Sequence, residues 1–167
     1  MFFLEDRGKL LGYKNHFLFF FAIILLMEYN KAFFGLYENI FLVLKEEFGE
    51  EKALGLFTKV MRSGLKKSYD ASGFEKDSPK DFARVVGERD KSVGLKVSFP
   101  EVENSKIVYR FLTDPFPGLK GKVDAHKLDD TYMAFKVDYL LGNGWKYGTT
   151  KHIWKGDEFT EHVISKE

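Results

Sequence analysis

The sequence predicts an α+β fold: N-terminal helices, then hairpin, helix and hairpin, with a four-stranded antiparallel sheet and helices packed on one of its faces. Three observations predict it. Apolar residues recur every three or four positions from residue 28 to about residue 90. The period then changes to two over residues 93–111, and from about residue 130 a second helical stretch is again followed by strand-like sequence. A chain of 167 residues is long enough to bury one continuous core. Residues 27–167 therefore read as a single α+β domain, and residues 1–26 as an apolar N-terminal extension or helix.

The first element is "HFLFFFAIILLMEY", residues 16–29, whose uninterrupted apolar run is the eleven residues from Phe17 to Met27. A membrane-spanning helix needs about 20 mostly apolar residues, so the run is too short to cross comfortably. The expectation is a helix that adds to the core or presents an apolar surface to a second subunit. Membrane association is open to such a segment but is not favoured.

Over residues 28–48, Phe33, Leu36, Tyr37, Ile40, Phe41, Leu44 and Phe48 share one helix face, and Gly49 is a stop signal. Glu50 and Glu51 open the next helix, where carboxylates favour the positive end of the dipole. Leu54, Phe57, Val60, Met61 and Leu65 form its apolar stripe, and Lys66 and Lys67 sit near its end. So short a connection predicts an antiparallel helix pair. "SPKDF", residues 78–82, starts a third helix, with Ser78 as N-cap, Pro79 at the first helical position and Asp81 as the capping carboxylate.

Val93, Leu95, Val97 and Phe99 alternate as a strand, residues 100–105 read as a loop, and Ile107, Tyr109 and Phe111 return as the second strand. "DPFPGLKGK", residues 114–122, breaks either kind of ladder with two prolines and two glycines. A fourth helix is expected from about Asp130, with Tyr132, Met133, Phe135, Val137, Leu140 and Leu141 as its apolar residues, ending at "GNG". Residues 145–164 read as a second hairpin turning near Gly156 and Asp157. The order of strands in the sheet is not legible.

Composition narrows the function. Aromatic residues make up 17% of the chain, with 18 Phe, which predicts a large aromatic core or an aromatic-lined pocket. Lys and Arg number 26 against 25 Asp and Glu, interleaved along the chain, so a nucleic-acid partner is not expected. There are no cysteines, which excludes disulfides, zinc–thiolate sites, iron–sulfur clusters and a thiol nucleophile, and fits a cytoplasmic protein.

The C-terminal stretch "TTKHIWKGDEFTEHVIS" resembles the closing hairpin of the 4-vinyl reductase-like domains and the related L-2-amino-thiazoline-4-carboxylic acid hydrolase-like family. The matching positions are Thr150, Lys151, Gly156, Asp157 and Phe159. "FGEEKALGLFTKVMRSG" is similar to the paired helices of that family, and the element order agrees from about residue 28 to the end. Relatives carry cysteines where this chain has Asp114-Pro115, Asp124-Ala125-His126 and Thr160-Glu161, so thiol chemistry or a cysteine-bound metal cannot operate here. The resemblance still implies a cavity between sheet and helices that binds a small, largely apolar or heterocyclic ligand.

The chemistry open to the chain lies in a few polar residues. "DAHKLDD" places Asp124, His126, Asp129 and Asp130 within seven residues. A His beside carboxylates can hold a divalent metal or act as an oriented general base. The structural alternative is that Asp129 or Asp130 caps the fourth helix and the others are solvated. His152 and His162 lie on opposite strands of the last hairpin. A three-residue loop sets His152 opposite His162, whereas a two-residue loop sets His152 opposite Glu161 and His162 opposite Lys151.

The candidate catalytic residues are therefore His126, Asp124 and His152, and the candidate metal ligands His126, Asp129, His152 and His162. Tyr109, Phe111, Tyr132, Trp145, Tyr147 and Trp154 are the candidate lining of an apolar cavity, or else simply core. No cofactor is predicted, and a divalent metal at those residues is left open. The leading expectation is a small-molecule-binding domain without a catalytic set, dimeric through its N-terminal helices. The alternatives are a hydrolase of a small heterocycle or amide, and an interaction module docking through its N-terminal apolar helix.

Overall fold

The computed structural model describes residues 30–167, and the apolar run Phe17–Met27 lies outside the described residues. Helix α1 covers residues 30–48 of the described chain and α2 runs Glu50–Ser72. Only Gly49 separates them, at φ 80°, a backbone that glycine adopts without strain. The pair is closed by aromatic edges: Tyr37 and Phe41 of α1 both meet Phe57 of α2, at 6.0 and 5.5 Å between ring centroids. Phe41 and Phe57 are fully buried, a gain of about 1.5–3 kcal/mol for each side chain. Helix α2 continues beyond Lys67 because no breaker intervenes before Gly73, and the added turn buries Tyr69.

Helix α3 spans Pro79–Ser92 and starts where the sequence predicts, with the Ser78 hydroxyl accepting from the Asp81 N–H at 3.3 Å. Strand β1 is Val97–Val102, β2 Lys106–Phe111, β3 Trp145–Lys151 and β4 Thr160–Lys166. Helix α4, Ala125–Leu140, connects the two hairpins. All pairings are antiparallel and the strand order is β1-β2-β4-β3, so the hairpins meet through β2 and β4.

Two strand boundaries differ from expectation. Strand β1 passes through Pro100 instead of ending there, with a bulge between Ser98 and Glu101. On an edge strand the missing N–H of proline faces no partner, so the ladder tolerates it. Val93 and Leu95 belong to the exit of α3, where the Leu95 N–H bonds the Asp90 carbonyl at 3.0 Å.

Helix α4 begins at Ala125, earlier than Asp130, because Asp124 is its cap: the carboxylate accepts from the Lys127 N–H at 3.0 Å. Asp129 and Asp130 are therefore inside the helix. Helices α3 and α4 contact the strands, and α2 packs across both helices. Ile107, Tyr109 and Phe111 turn toward this helical layer and are almost completely buried. Among the described residues, no helix is long and apolar enough to cross a membrane.

Candidate functional site

Between the α1–α2 pair and the α3–α4–sheet layer lies an open-mouthed cavity of about 50 Å³. Its aromatic walls are Phe33, Phe34 and Tyr37 of α1, Phe111 of β2, Phe116 of the loop after β2, and Tyr132 of α4. Val60, Met61 and Leu65 of α2 complete the apolar side. The loop carrying Phe116 is held to α1, since the Gly118 N–H donates to Glu38 at 2.7 Å. A Cβ at Gly118 would stand 2.5 Å from that carboxylate, so any larger residue would make the Glu38 side chain shift.

The lining also includes Arg89, Asp90 and Lys136, three charged residues in an otherwise apolar site. Lys136 and Asp90 are 2% and 3% exposed, and their charged atoms lie 2.8 Å apart. The Tyr109 hydroxyl donates to the same Asp90 oxygen and accepts from the Lys136 ammonium at 3.2 Å. The ammonium also sits over the rings of Tyr109, Phe111 and Tyr132, 5.1 to 5.6 Å from their centroids. Burial pulls the Lys136 pKa below the usual lysine range, while Asp90 opposes that fall. Burial also lifts the Tyr109 and Tyr132 hydroxyls well above the ordinary tyrosine range. Such a cluster is stable only while every member keeps its partner.

A second, smaller hollow of about 10 Å³ lies beyond Phe111, Pro115, Phe116 and Tyr132, which border both spaces. Asp129, His152 and Trp154 face it. Asp129 accepts from the Tyr132 hydroxyl at 2.5 Å, and its other oxygen lies 3.5 Å from His152 Nε2. His152 Nδ1 accepts from the Trp154 N–H at 3.0 Å, so the proton of a neutral ring is on Nε2, toward Asp129. Neither nitrogen then offers a free lone pair for proton abstraction.

The predicted polar set is thus only partly assembled. His126 is exposed, pairs with Lys155 at 2.9 Å, and its ring centroid is 6.5 Å from that of His152. Asp124 caps α4. Neither expected hairpin register occurs: Thr149 pairs with His162 and Lys151 with Glu161, across a bulge, and a turn of 3-10 helix at Ile153–Lys155 lengthens the connection. His152 lies outside the strand as the cap of that turn. His162 is fully buried, with Nδ1 3.0 Å from the Thr149 hydroxyl and Nε2 unpartnered. Loss of solvent, with smaller repulsion from Lys136, His152 and His126, pushes its pKa down to about 4 against a weaker pull from Asp129. Among the described residues, no group of three His, Asp or Glu side chains is placed to hold a metal ion.

The predicted aromatic set divides similarly. Phe111 and Tyr132 line the main cavity, Tyr109 supports its polar end, and Trp154 faces the smaller hollow while donating to Asp114 at 2.7 Å. Trp145 and Tyr147 line neither: the indole donates to Asp77 at 2.5 Å and the phenol to Asp130.

Sequence reading missed Arg89, Asp90 and Lys136. A signal was present, because Asp90 extends the Phe82–Val86 spacing on α3 and Lys136 falls four residues from both Tyr132 and Leu140 on α4. Two opposite charges on the buried faces of neighbouring helices mark an internal pair.

No protein-family model matches the chain, and no curated protein does. Among solved structures, the chain is similar to the phenol-responsive sensory domain of the transcription activator PoxR, determined with phenol. The match has a TM-score of 0.52 at 15% identity and covers 82% of this chain and 74% of that one. At this identity the likeness speaks for the fold.

Proposed function

We propose that this chain is a small-molecule-binding domain of sensory or carrier type, taking a small aromatic ligand between its helices and sheet. The observation that carries the reading is the aromatic cavity with Lys136, Asp90 and Tyr109 at its polar end. The PoxR sensory domain, a fold relative solved with phenol, supports it, as does the resemblance of the last hairpin to the 4-vinyl reductase-like domains. The Trp154 N–H takes the Nδ1 lone pair of His152, which favours binding over hydrolysis.

A benzene-sized guest needs about 150 Å³, so binding must widen a space of about 50 Å³. The wall suited to move is the Phe33–Phe34 stretch of α1, where both rings are only half-buried, whereas Phe41 anchors the same helix in the core. Self-association through α1 belongs to the same proposal. Leu36, Ile40 and Val43 form an exposed apolar stripe at helical spacing, immediately downstream of a longer apolar run.

Titration with phenol and toluene, followed by amide NMR shifts and thermal melting, tests the reading. Saturable shifts confined to cavity residues and a raised Tm are expected, and Met61→Trp should abolish both by filling the space. Shifts absent at millimolar probe, or unchanged in Met61→Trp, would overturn it. Sedimentation of Leu36→Glu/Val43→Glu tests the self-association, with loss of the dimer expected.

A further inference from the structure

We infer that the cavity selects a small aromatic monocarboxylate, with the ring among the aromatic walls and the carboxylate between Arg89 and Lys136. The inference rests on the ligand-binding reading above and adds the chemical class of the guest.

Charge is the first argument. The titratable lining of the cavity carries two cations, Arg89 and Lys136, against the single carboxylate of Asp90. Asp90 is committed to Lys136 and Tyr109 through one oxygen. Arg89, half-buried on α3 at the neighbouring position, forms no ion pair among the described residues, although Arg84 of the same helix forms two. A guanidinium lining an apolar pocket without a counter-ion is a site with an unmet preference for an anion.

The second argument is hydrogen-bond capacity. A lysine ammonium has three N–H donors, and among the described residues Lys136 spends them on two acceptors, Asp90 and Tyr109. The remaining donor has no partner among the described residues, and Lys136 is part of the cavity wall. A carboxylate accepts from both cations, whereas an amine would add a third positive charge and a hydrocarbon would leave both unsatisfied. The two cations also repel each other: Arg89 contributes to the lowered pKa of Lys136.

Geometry sets the size. The apolar walls come from four separate elements and enclose a short space, and Phe111, Pro115, Phe116 and Tyr132 close its far side against the smaller hollow. Once widened toward the ~150 Å³ that a benzene-sized guest needs, this outline takes one ring with a directly attached or one-carbon-removed carboxylate.

Isothermal titration of the full chain near neutral pH with benzoate, benzyl alcohol and benzylamine separates the cases. Benzoate is expected to bind at least about tenfold tighter than benzyl alcohol, the gain from one charge-assisted contact, with benzylamine weakest. Arg89→Gln changes a half-exposed residue and should fold normally. It should bring benzoate to within about twofold of benzyl alcohol, both measured on the variant. Benzyl alcohol or benzylamine binding as tightly as benzoate, or a benzoate preference that survives Arg89→Gln, would overturn this inference and leave the small-molecule reading standing. Binding of none of the three probes would overturn both.

Discussion

Tyr132 stands between two polar clusters of opposite character. On one side Asp90, Tyr109 and Lys136 come from α3, β2 and α4 and close on one another inside the core, beside a cavity. On the other, Asp124, His126, Asp129 and His152 come from the start of α4 and the turn between β3 and β4. There Asp124 caps a helix, His152 caps a 3-10 turn and His126 meets an exposed lysine. The dense motif, which looks most like chemistry in the sequence, is taken up by a helix cap, two tyrosine hydroxyls and a surface lysine. The residues proposed to meet a guest are scattered over three elements and form no motif.

The largest effect expected from this contrast is at Lys136. Lys136→Met leaves the Asp90 carboxylate buried with only the Tyr109 hydroxyl, and breaking a buried pair from one side costs about 3–5 kcal/mol. Adding Asp90→Asn should recover a large part of that loss, because the uncompensated charge is gone. Urea unfolding of the single and double variants measures both. If the single variant loses less than about 1 kcal/mol, the cluster is not the tightly coupled unit its geometry describes.

The next effect is a dependence on pH centred on His162, which lies beside both clusters. Its folded pKa is about 4, below the ordinary histidine value of 6.5. The unfolded chain therefore takes up a proton between these values while the native protein does not, and stability falls as pH drops through that window. The loss contributed by this one side chain is of the order of 3 kcal/mol by pH 4. His162→Phe keeps a ring among Tyr109, Phe111 and Tyr147 and cannot titrate. The difference between the two pH–stability curves should be flat above pH 7 and slope between about 6.5 and 4. A constant difference across that range would mean that His162 protonates equally in both states.

Local signals carried the elements and long-range pairing did not. The start of α3 is legible because Ser78, Pro79 and Asp81 act within one turn. The start of α4 is displaced because three aspartates compete as caps in the sequence, and only the chain path from the Pro-containing loop selects Asp124. The hairpin register escaped because it depends on a bulge near Thr150 and a 3-10 turn, neither of which has a residue signature. At the site, Phe111 and Tyr132 were accessible from aromatic content alone. Asp90 and Lys136 are 46 positions apart, and their pairing is set by how α3 and α4 lie on the sheet.

A smaller effect is expected at Asp124, where the contrast can be tested as capping against chemistry. Asp124→Ala removes the acceptor for the Lys127 N–H and should cost about 1 kcal/mol. Asp124→Asn, which keeps a capping oxygen, should recover most of it. Ligand affinity should be unchanged in both, since Asp124 borders neither cavity.

The smallest effect belongs to His126, the most reactive-looking residue in the sequence. Its ring is exposed, and its contact with Lys155 joins two solvated side chains, so His126→Ala should shift stability by no more than about 0.5 kcal/mol. Its Nε2 nitrogen is directed at Lys155 and not into the main cavity, which leaves no route for the substitution to change the binding of a small arene. Melting and titration of this one variant separate the clusters most directly. A weakened affinity at unchanged Tm would place His126 at a binding surface and return the "DAHKLDD" segment to the functional side of the comparison.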